Sequence, residues 1–438
     1  MREELRLTLS SLLDVMHQLR IRGGSFRETL YSATDRNHRL WLVRPSISES
    51  LVPAAGVLEV RFLGGTEDSD RHRAVGGVWS GRRVVLGVGV DRLNSMLCAE
   101  LHEADHSVHP LDVLVVGGGF HNAVGEEADK SAEDYGIWSP TRRALGEHGW
   151  QMVQQQRVTI IGAGRTGSQL AESLHRMGKV DVTMIDSDRV ESHNVGESSL
   201  LNRDDIGRYK AQAIAGQLWK TSPGTGRIDC VLSALNSLPS LAAVSGSTLL
   251  ISAVDNPAAR LLATILASLF LVPLLDLGTG IFHGESLAPA GRAEGRTMGA
   301  DIRLCLPDRC LLCTGGLPGV EQAATDLLDS GLSERVAEQQ RPWFEQRSGS
   351  LRSLNGCAVS LAIRMVEDWL ANRLPQRLNR LLQLRFEEDG SPVLTKLDYG
   401  HIRSSDCPIC GIAGQGDGGL PYVAGVLRQV RDRTRQDG

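Results

Sequence analysis

Aromatic residues make up only 4% of this 438-residue chain, too few for the stacking platform that grips single-stranded nucleic acid. Neither sign of charge dominates. The 47 Lys and Arg against 52 Asp and Glu leave a net charge of −5, which argues against nonspecific binding to nucleic acid. No apolar run approaches the roughly 18 residues of a membrane span, so no membrane partner is expected. The longest such stretch, Leu261–Leu275, is interrupted by Pro273 and followed by Asp276; it reads as a buried helix running into a strand. Met1–Arg6 is charged where a secretory leader would be apolar, and a cytoplasmic location is expected. Cysteine is scarce as well: 8 in this length exclude a disulfide scaffold. What remains is an ordinary globular composition, 41% hydrophobic and 23% charged, long enough for two or three domains at about 150 residues each.

The first part, residues 1–133, is expected to be a separate α/β domain. Leu5, Leu9, Leu12, Leu13, Met16 and Leu19 recur at near-helical spacing up to Gly23-Gly24, which predicts an amphipathic helix over residues 2–20. Short β-rich runs follow at Leu40–Val43, Val57–Phe62, Val84–Val90 and Asp112–Val116, with a helical piece expected around Leu93–Leu101. Gly117–Asp134, three glycines and then an acidic run, reads as a linker. His102-Glu103-Ala104-Asp105-His106 has the zincin spacing, two histidines four apart with a glutamate between. Pro110 would end that helix within a turn, so a polar helix end or loop is the better reading.

From Arg157 the pattern changes to β-α-β alternation. Val158–Ile161, Val180–Ile185, Leu249–Val254 and Val272–Leu277 read as strands, and Ser168–Met177, Ala211–Trp219 and 258–270 as helices. Such alternation builds a parallel, doubly wound, Rossmann-like sheet with ligands at the carboxyl ends of its strands. Residues 134–412 are assigned to this domain and 413–438 to a tail that is Gly-rich and then basic, with a short exposed helix at 422–434.

Within that domain, Gly162-Ala163-Gly164-Arg165-Thr166-Gly167 follows a strand and opens a helix, so a phosphate can approach the helix amino terminus. Asp186 ends the next strand, where a carboxylate can hydrogen-bond a ribose. Taken alone, the loop suggests an NAD-dependent oxidoreductase, with a purely structural turn as the alternative. Two Cys-x-x-Cys pairs, Cys310/Cys313 and Cys407/Cys410, have the knuckle spacing of a four-thiolate structural zinc site.

The continuation does not fit a dehydrogenase. Asp186-Ser-Asp188-Arg-Val190-Glu-Ser-His-Asn194 runs on to Asp205-Ile-Gly207-Arg-Tyr-Lys210, and Asp255-Asn256 ends a later strand with Arg260 one helical turn onward. Together with Arg142-Arg143-Ala-Leu-Gly146, this series resembles the adenylating domain of the ubiquitin-activating enzyme superfamily, including its thiamine and molybdopterin branch (ThiF/MoeB/HesA type), across about residues 134–412.

The resemblance implies ATP-dependent adenylation of the carboxyl-terminal glycine of a ubiquitin-like or sulfur-carrier protein. It implies ATP held by Gly162, Ala163, Gly164, Arg165, Gly167, Asp186 and Asp188, phosphate contacts from Asn194 and Lys210, Mg2+ on Asp255, and Zn2+ on the four cysteines. It further implies a homodimer in which Arg142 or its neighbour Arg143 crosses to the partner's site, and hand-over to a conjugating enzyme or a sulfurtransferase. The family's usual arginine three positions after the asparagine is Glu197 here, a loss that Arg165, Arg203 or a second subunit would have to make good. The usual acyl-accepting cysteine is missing from Thr314–Gly356. The reaction would stop at the acyl-adenylate, use another cysteine such as Cys305, or pass to a serine, of which Ser348, Ser350 and Ser353 lie in the right region. Cys357, opening an apolar helix, reads as a small hydrophobe. A non-catalytic ATP-binding scaffold is the reading that Glu197 keeps open.

Overall fold

A computed structural model describes strand backbones between residues 4 and 116, and residues 137–437 except 222–225, 284–295, 308, 330–350, 372, 375–378, 388 and 400–405. The amino-terminal strands are β1 (Glu4–Thr8), β2 (Phe26–Thr29), β3 (Tyr31–Thr34), β4 (Leu40–Val43), β5 (Val57–Leu63), β6 (Arg83–Val90), β7 (Ser95–His102) and β8 (Val108–Val116). They form one sheet in the order β2-β5-β6-β7-β8-β1-β4-β3. Four of these strands fall where the β-rich runs place them. Two helices do not. Glu4–Thr8 is a strand paired with both β4 and β8, and Ser95–His102 is a strand between β6 and β8. Sheet pairing on both sides outweighs the local helical spacing in each case. His102 therefore ends a strand and His109 lies in the next one, so His102 does not stand on the helix that zincin geometry needs; residues 103–106 lie outside the described residues. The expected linker at Gly117–Asp134 lies outside the described residues, as does the rest of the helix expected over 2–20.

The second sheet is the expected α/β core. Its strands are β9 (Arg157–Ile161), β10 (Asp181–Ile185), β11 (Ile228–Val231), β12 (Leu249–Ser252), β13 (Leu274–His283), β14 (Arg296–Cys305), β15 (Asn379–Phe386) and β16 (Pro392–Tyr399). Their order is β11-β10-β9-β12-β13-β14-β15-β16. The first five are parallel; four of them fall where the alternation predicts strands, and β11 is one it does not name. The last three add an antiparallel half that the sequence pattern does not announce. Helices Ser139–Gln154, Arg165–Met177, Lys210–Thr221 and Arg352–Leu370 supply buried residues to one face. Leu238–Gly246, Pro257–Leu269, Val320–Asp329 and Val423–Asp437 cover the other.

Local chemistry explains the helix starts. Asn256 accepts hydrogen bonds from the amides of Ala258 and Ala259, and Pro257 occupies the first helical turn, where its missing N–H costs nothing. The helix it opens is apolar on nearly every side and is buried accordingly, with Leu261, Ile265, Leu269 and the following Phe270 fully enclosed. Each such side chain contributes roughly 1.5–3 kcal/mol. The carboxyl-terminal helix corrects an expectation. Instead of standing exposed, it buries Val423, Val426, Leu427 and Val430 in the same cluster as the cysteine pairs. No helix among the described residues is long and apolar enough to cross a membrane.

Candidate nucleotide site and metal centre

The sheet order creates the site. From β9 the chain moves outward through β10 to β11, then returns to place β12 on the opposite side of β9. The loops leaving β9 and β12 therefore diverge, and the gap between them is the switch point where doubly wound sheets bind ligands. The glycine loop fills it. Gly162 has φ +93°, and a side chain there would meet Val254 at 2.8 Å and the Ala253 carbonyl at 2.9 Å. Gly167 lies so close that a Cβ would overlap the Gly162 carbonyl oxygen. Two glycines thus fold the turn tightly onto the helix and the neighbouring strand.

Gly164 differs from both. A Cβ there would meet nothing within 4 Å, and the residue caps helix Arg165–Met177 without any side-chain hydrogen bond to the first amides. Open space in front of unsatisfied helix amides is what a phosphate requires. Gly164→Ala is therefore expected to weaken nucleotide binding at least tenfold, while its extended backbone (φ −77°) tolerates the substitution. Stability should move by no more than about 1 kcal/mol. A nucleotide titration beside a thermal melt checks both halves.

Asp186 is set by the loop. One carboxylate oxygen accepts from the Ala163 amide at 2.6 Å and the other from the Asp188 amide at 2.7 Å. Burial pushes its carboxyl above the ordinary value, against those hydrogen bonds. Lys210 opens the next long helix. Its backbone N–H donates to the Asp188 carbonyl, and its Nζ pairs with the Asp188 carboxylate at 2.9 Å. Asp255 follows β12 and is exposed. These three residues and the glycine loop meet at one end of the sheet.

Asn194 and Arg142 are placed differently. The Asn194 side chain is buried in a capping arrangement, its Oδ1 accepting from the Glu191 amide at 2.9 Å and its Nδ2 donating to Glu197 at 3.4 Å. Arg142 pairs with Glu147 in its own helix at 2.6 Å, across the break at Gly146 (φ 77°). Sequence reasoning missed the partner of Arg165, which is Glu197, 32 residues away. The only signal was that Glu197 stood where the family has a cation. Arg260 also turns inward, gripping the fully buried Asp276 of β13 with two nitrogens.

The cysteine pairs converge as their spacing predicts. Sγ separations are 3.7 Å for Cys310 to Cys313, 3.6 Å for Cys310 to Cys407 and 3.7 Å for Cys313 to Cys410. All four ligand atoms lie within 4.8 Å of one another. A tetrahedron with Zn–S bonds near 2.3 Å has edges of about 3.8 Å, so the four thiols fit zinc. The site joins segments 97 residues apart. Around it, Arg309 stacks on Tyr399, whose hydroxyl donates to the Thr314 carbonyl.

Of the acyl-acceptor candidates, Cys305 is fully buried, and burial pushes its thiol up to about 12, which disqualifies it as a nucleophile. Cys357 is exposed rather than packed as a small hydrophobe, because it falls on the outer side of helix Arg352–Leu370. Ser353 is exposed on the first turn of that helix. Ser348 and Ser350 lie outside the described residues.

Two carboxylates carry depressed values despite burial: Glu197, held down by Arg165, and Asp301, held down by Arg385 and Arg303. Depressed groups contribute stability that is complete above the unfolded-chain value, about 4, and is lost as pH falls through the lower folded-state value. Melting temperature should therefore drop as pH falls below about 4. Asp301→Asn should flatten that slope, and a variant with an unchanged slope would refute the assignment.

The fold and site define a Rossmann-like α/β domain with a glycine loop at the sheet's switch point and, in the cluster packed with helix Pro257–Leu269, a four-cysteine centre. Residues 139–314 match the ThiF family. The tRNA threonylcarbamoyladenosine dehydratase of Escherichia coli (strain K12) is 32% identical over 83 residues, covering 19% of this chain and 31% of that protein. The NEDD8-activating enzyme E1 regulatory subunit of Gallus gallus is 31% identical over 71 residues, covering 16% of this chain and 13% of that protein. This chain thus spans less than a third of the length of either. Among solved structures, E. coli MccB with ATP is 17% identical with a TM-score of 0.46, covering 66% of this chain and 77% of that one.

Proposed function

We propose that this chain adenylates a carboxylate at the expense of ATP, and that the carboxylate is the terminal glycine of a ubiquitin-like modifier activated for transfer to a conjugating enzyme in the cytoplasm. The observation that carries the reading is a coincidence of place. The segment matching the ThiF family contains the glycine loop, Asp186, Lys210 and Asp255, which four successive stretches of chain bring to one end of the sheet.

The chemistry asks for those groups. A carboxylate oxygen attacks the α-phosphorus of ATP, the bond to the β-phosphate oxygen breaks, and pyrophosphate leaves with the electron pair. Two anions meet, so charge neutralisation dominates the barrier. Lys210 supplies a fixed cation, the amides behind Gly164 receive a phosphate, and Asp186 takes the ribose. Asp255 would hold Mg2+, which when bound supplies further neutralisation of the phosphates. The four cysteines would hold a structural zinc. A homodimer would bring Arg142 to the partner's site, and residues 1–133 would dock the modifier or the downstream enzyme.

A sulfur-carrier protein passing to a sulfurtransferase shares the adenylation step. A second reading comes from the matched relatives named tRNA threonylcarbamoyladenosine dehydratase: the activated carboxylate would be carried by a tRNA rather than by a protein. The test is incubation with ATP, Mg2+ and glycine-ended small proteins encoded beside the gene, followed by intact-mass analysis. An adduct one AMP heavier, discharged by hydroxylamine, supports the modifier reading. AMP formation only with tRNA would replace it.

A further inference from the structure

Both cations at the glycine loop are held by carboxylates, Lys210 by Asp188 and Arg165 by Glu197. The two pairs are built differently. Asp188 is half exposed and can turn to water. Arg165 and Glu197 are only 17% and 20% exposed, so neither is an ordinary solvated surface ion.

The chain takes trouble to deliver Glu197. Asn194, itself fixed by the Glu191 amide, donates to its second carboxylate oxygen. The next residue, Ser198, donates to Ser168 Oγ at 3.2 Å, so Glu197 and its neighbour are both tied to the helix that Arg165 begins. Arg165 meanwhile has donor capacity to spare. A guanidinium carries five N–H donors, and its Nε is buried with no acceptor. Such an orphaned donor is uncommon in a folded protein, and it stands one residue from the open space at Gly164.

Building on the adenylation reading, we propose that Glu197 is a latch on Arg165: its carboxylate stands in for phosphate, yields the guanidinium when the polyphosphate enters, and takes it back as pyrophosphate leaves. No covalent bond changes; one anion replaces another on the same cation. Glu197 is thus a positioning residue that acts through Arg165. It weakens polyphosphate binding and speeds product release, and it explains why a carboxylate can occupy a place next to a phosphate site. A bare arginine would hold pyrophosphate more tightly than turnover allows.

The test is titration of the full chain with ATP, pyrophosphate and adenosine. E197Q keeps the shape and removes the charge, so it should bind ATP and pyrophosphate about five- to tenfold more tightly. Adenosine affinity should not change, and KM for ATP should fall with kcat. The R165Q/E197Q pair should lose the gain, and E197D, which retains the carboxylate, should restore affinities to within threefold of wild type. E197A repeats the comparison if the glutamine variant does not fold. A wild type that binds ATP while E197Q and E197A bind it no more tightly overturns the latch and leaves adenylation standing. So does a gain that survives removal of Arg165, or one that extends equally to adenosine. A wild type that binds neither ATP nor pyrophosphate overturns both.

Discussion

Cys407→Ser is expected to empty the zinc site and to lower the melting temperature by roughly 8–16 °C. The size follows from linkage. A metal present at a thousand times its dissociation constant stabilises the folded state by about 4 kcal/mol, and each kcal/mol moves the midpoint by about 2–4 °C in a domain near this size. The position of the site makes the loss cooperative. Cys310 and Cys313 follow β14, while Cys407 and Cys410 follow β16 and lead into helix Val423–Asp437. Three of the four cysteines are buried in one cluster with Leu261, Phe270, Val426 and Leu427. Releasing the clip would loosen that helix from Val320–Asp329 and expose their shared apolar surface. Chelation of the wild type should reproduce the effect, and metal analysis should fall to zero. Cys357→Ser, at an exposed cysteine of another helix, should change neither metal content nor melting. Full zinc content in Cys407→Ser would remove the site.

Lys210→Ala is expected to reduce adenylation by about a hundred- to thousandfold, the usual cost of deleting one preorganised group that meets developing charge. Stability should hardly move, because the abandoned Asp188 is more than half exposed and can be solvated. That separation of effects is informative. The side chain is only 14% exposed and its first backbone atoms are pinned to the Asp188 carbonyl, so its position is fixed before any ligand arrives. Asp255→Ala should produce a comparable loss that added Mg2+ partly restores. Single-turnover assays beside thermal melts check the pair. An active Lys210→Ala protein would refute the assignment of that residue.

How much of this was readable beforehand depends on the distance between partners. The strand, glycine loop and helix from Arg157 to Met177 are legible because the hydrophobic period switches from two to 3.6 at the glycines. The four-cysteine centre is legible because each knuckle is local and only the meeting of the two is not. The antiparallel half was silent: β16, Pro-Val-Leu-Thr-Lys-Leu-Asp-Tyr, is exposed along almost its whole length and carries no strong alternation of apolar and polar residues. In the carboxyl-terminal helix, Val423, Val426, Leu427 and Val430 have the spacing of a buried stripe. Arg428, Arg431 and Arg433 among them make the segment read as solvated. Arg165 and Glu197 meet only because the segments that follow β9 and β10 converge, and no periodicity reports that.

The most direct test is ATP–pyrophosphate exchange by the purified chain with Mg2+ and candidate glycine-ended proteins, with Lys210→Ala beside it. Label should pass from pyrophosphate into ATP only when the right protein is present, and the variant should lose it. Binding of ATP without exchange for any candidate, protein or tRNA, would contradict adenylation and leave a nucleotide-binding scaffold.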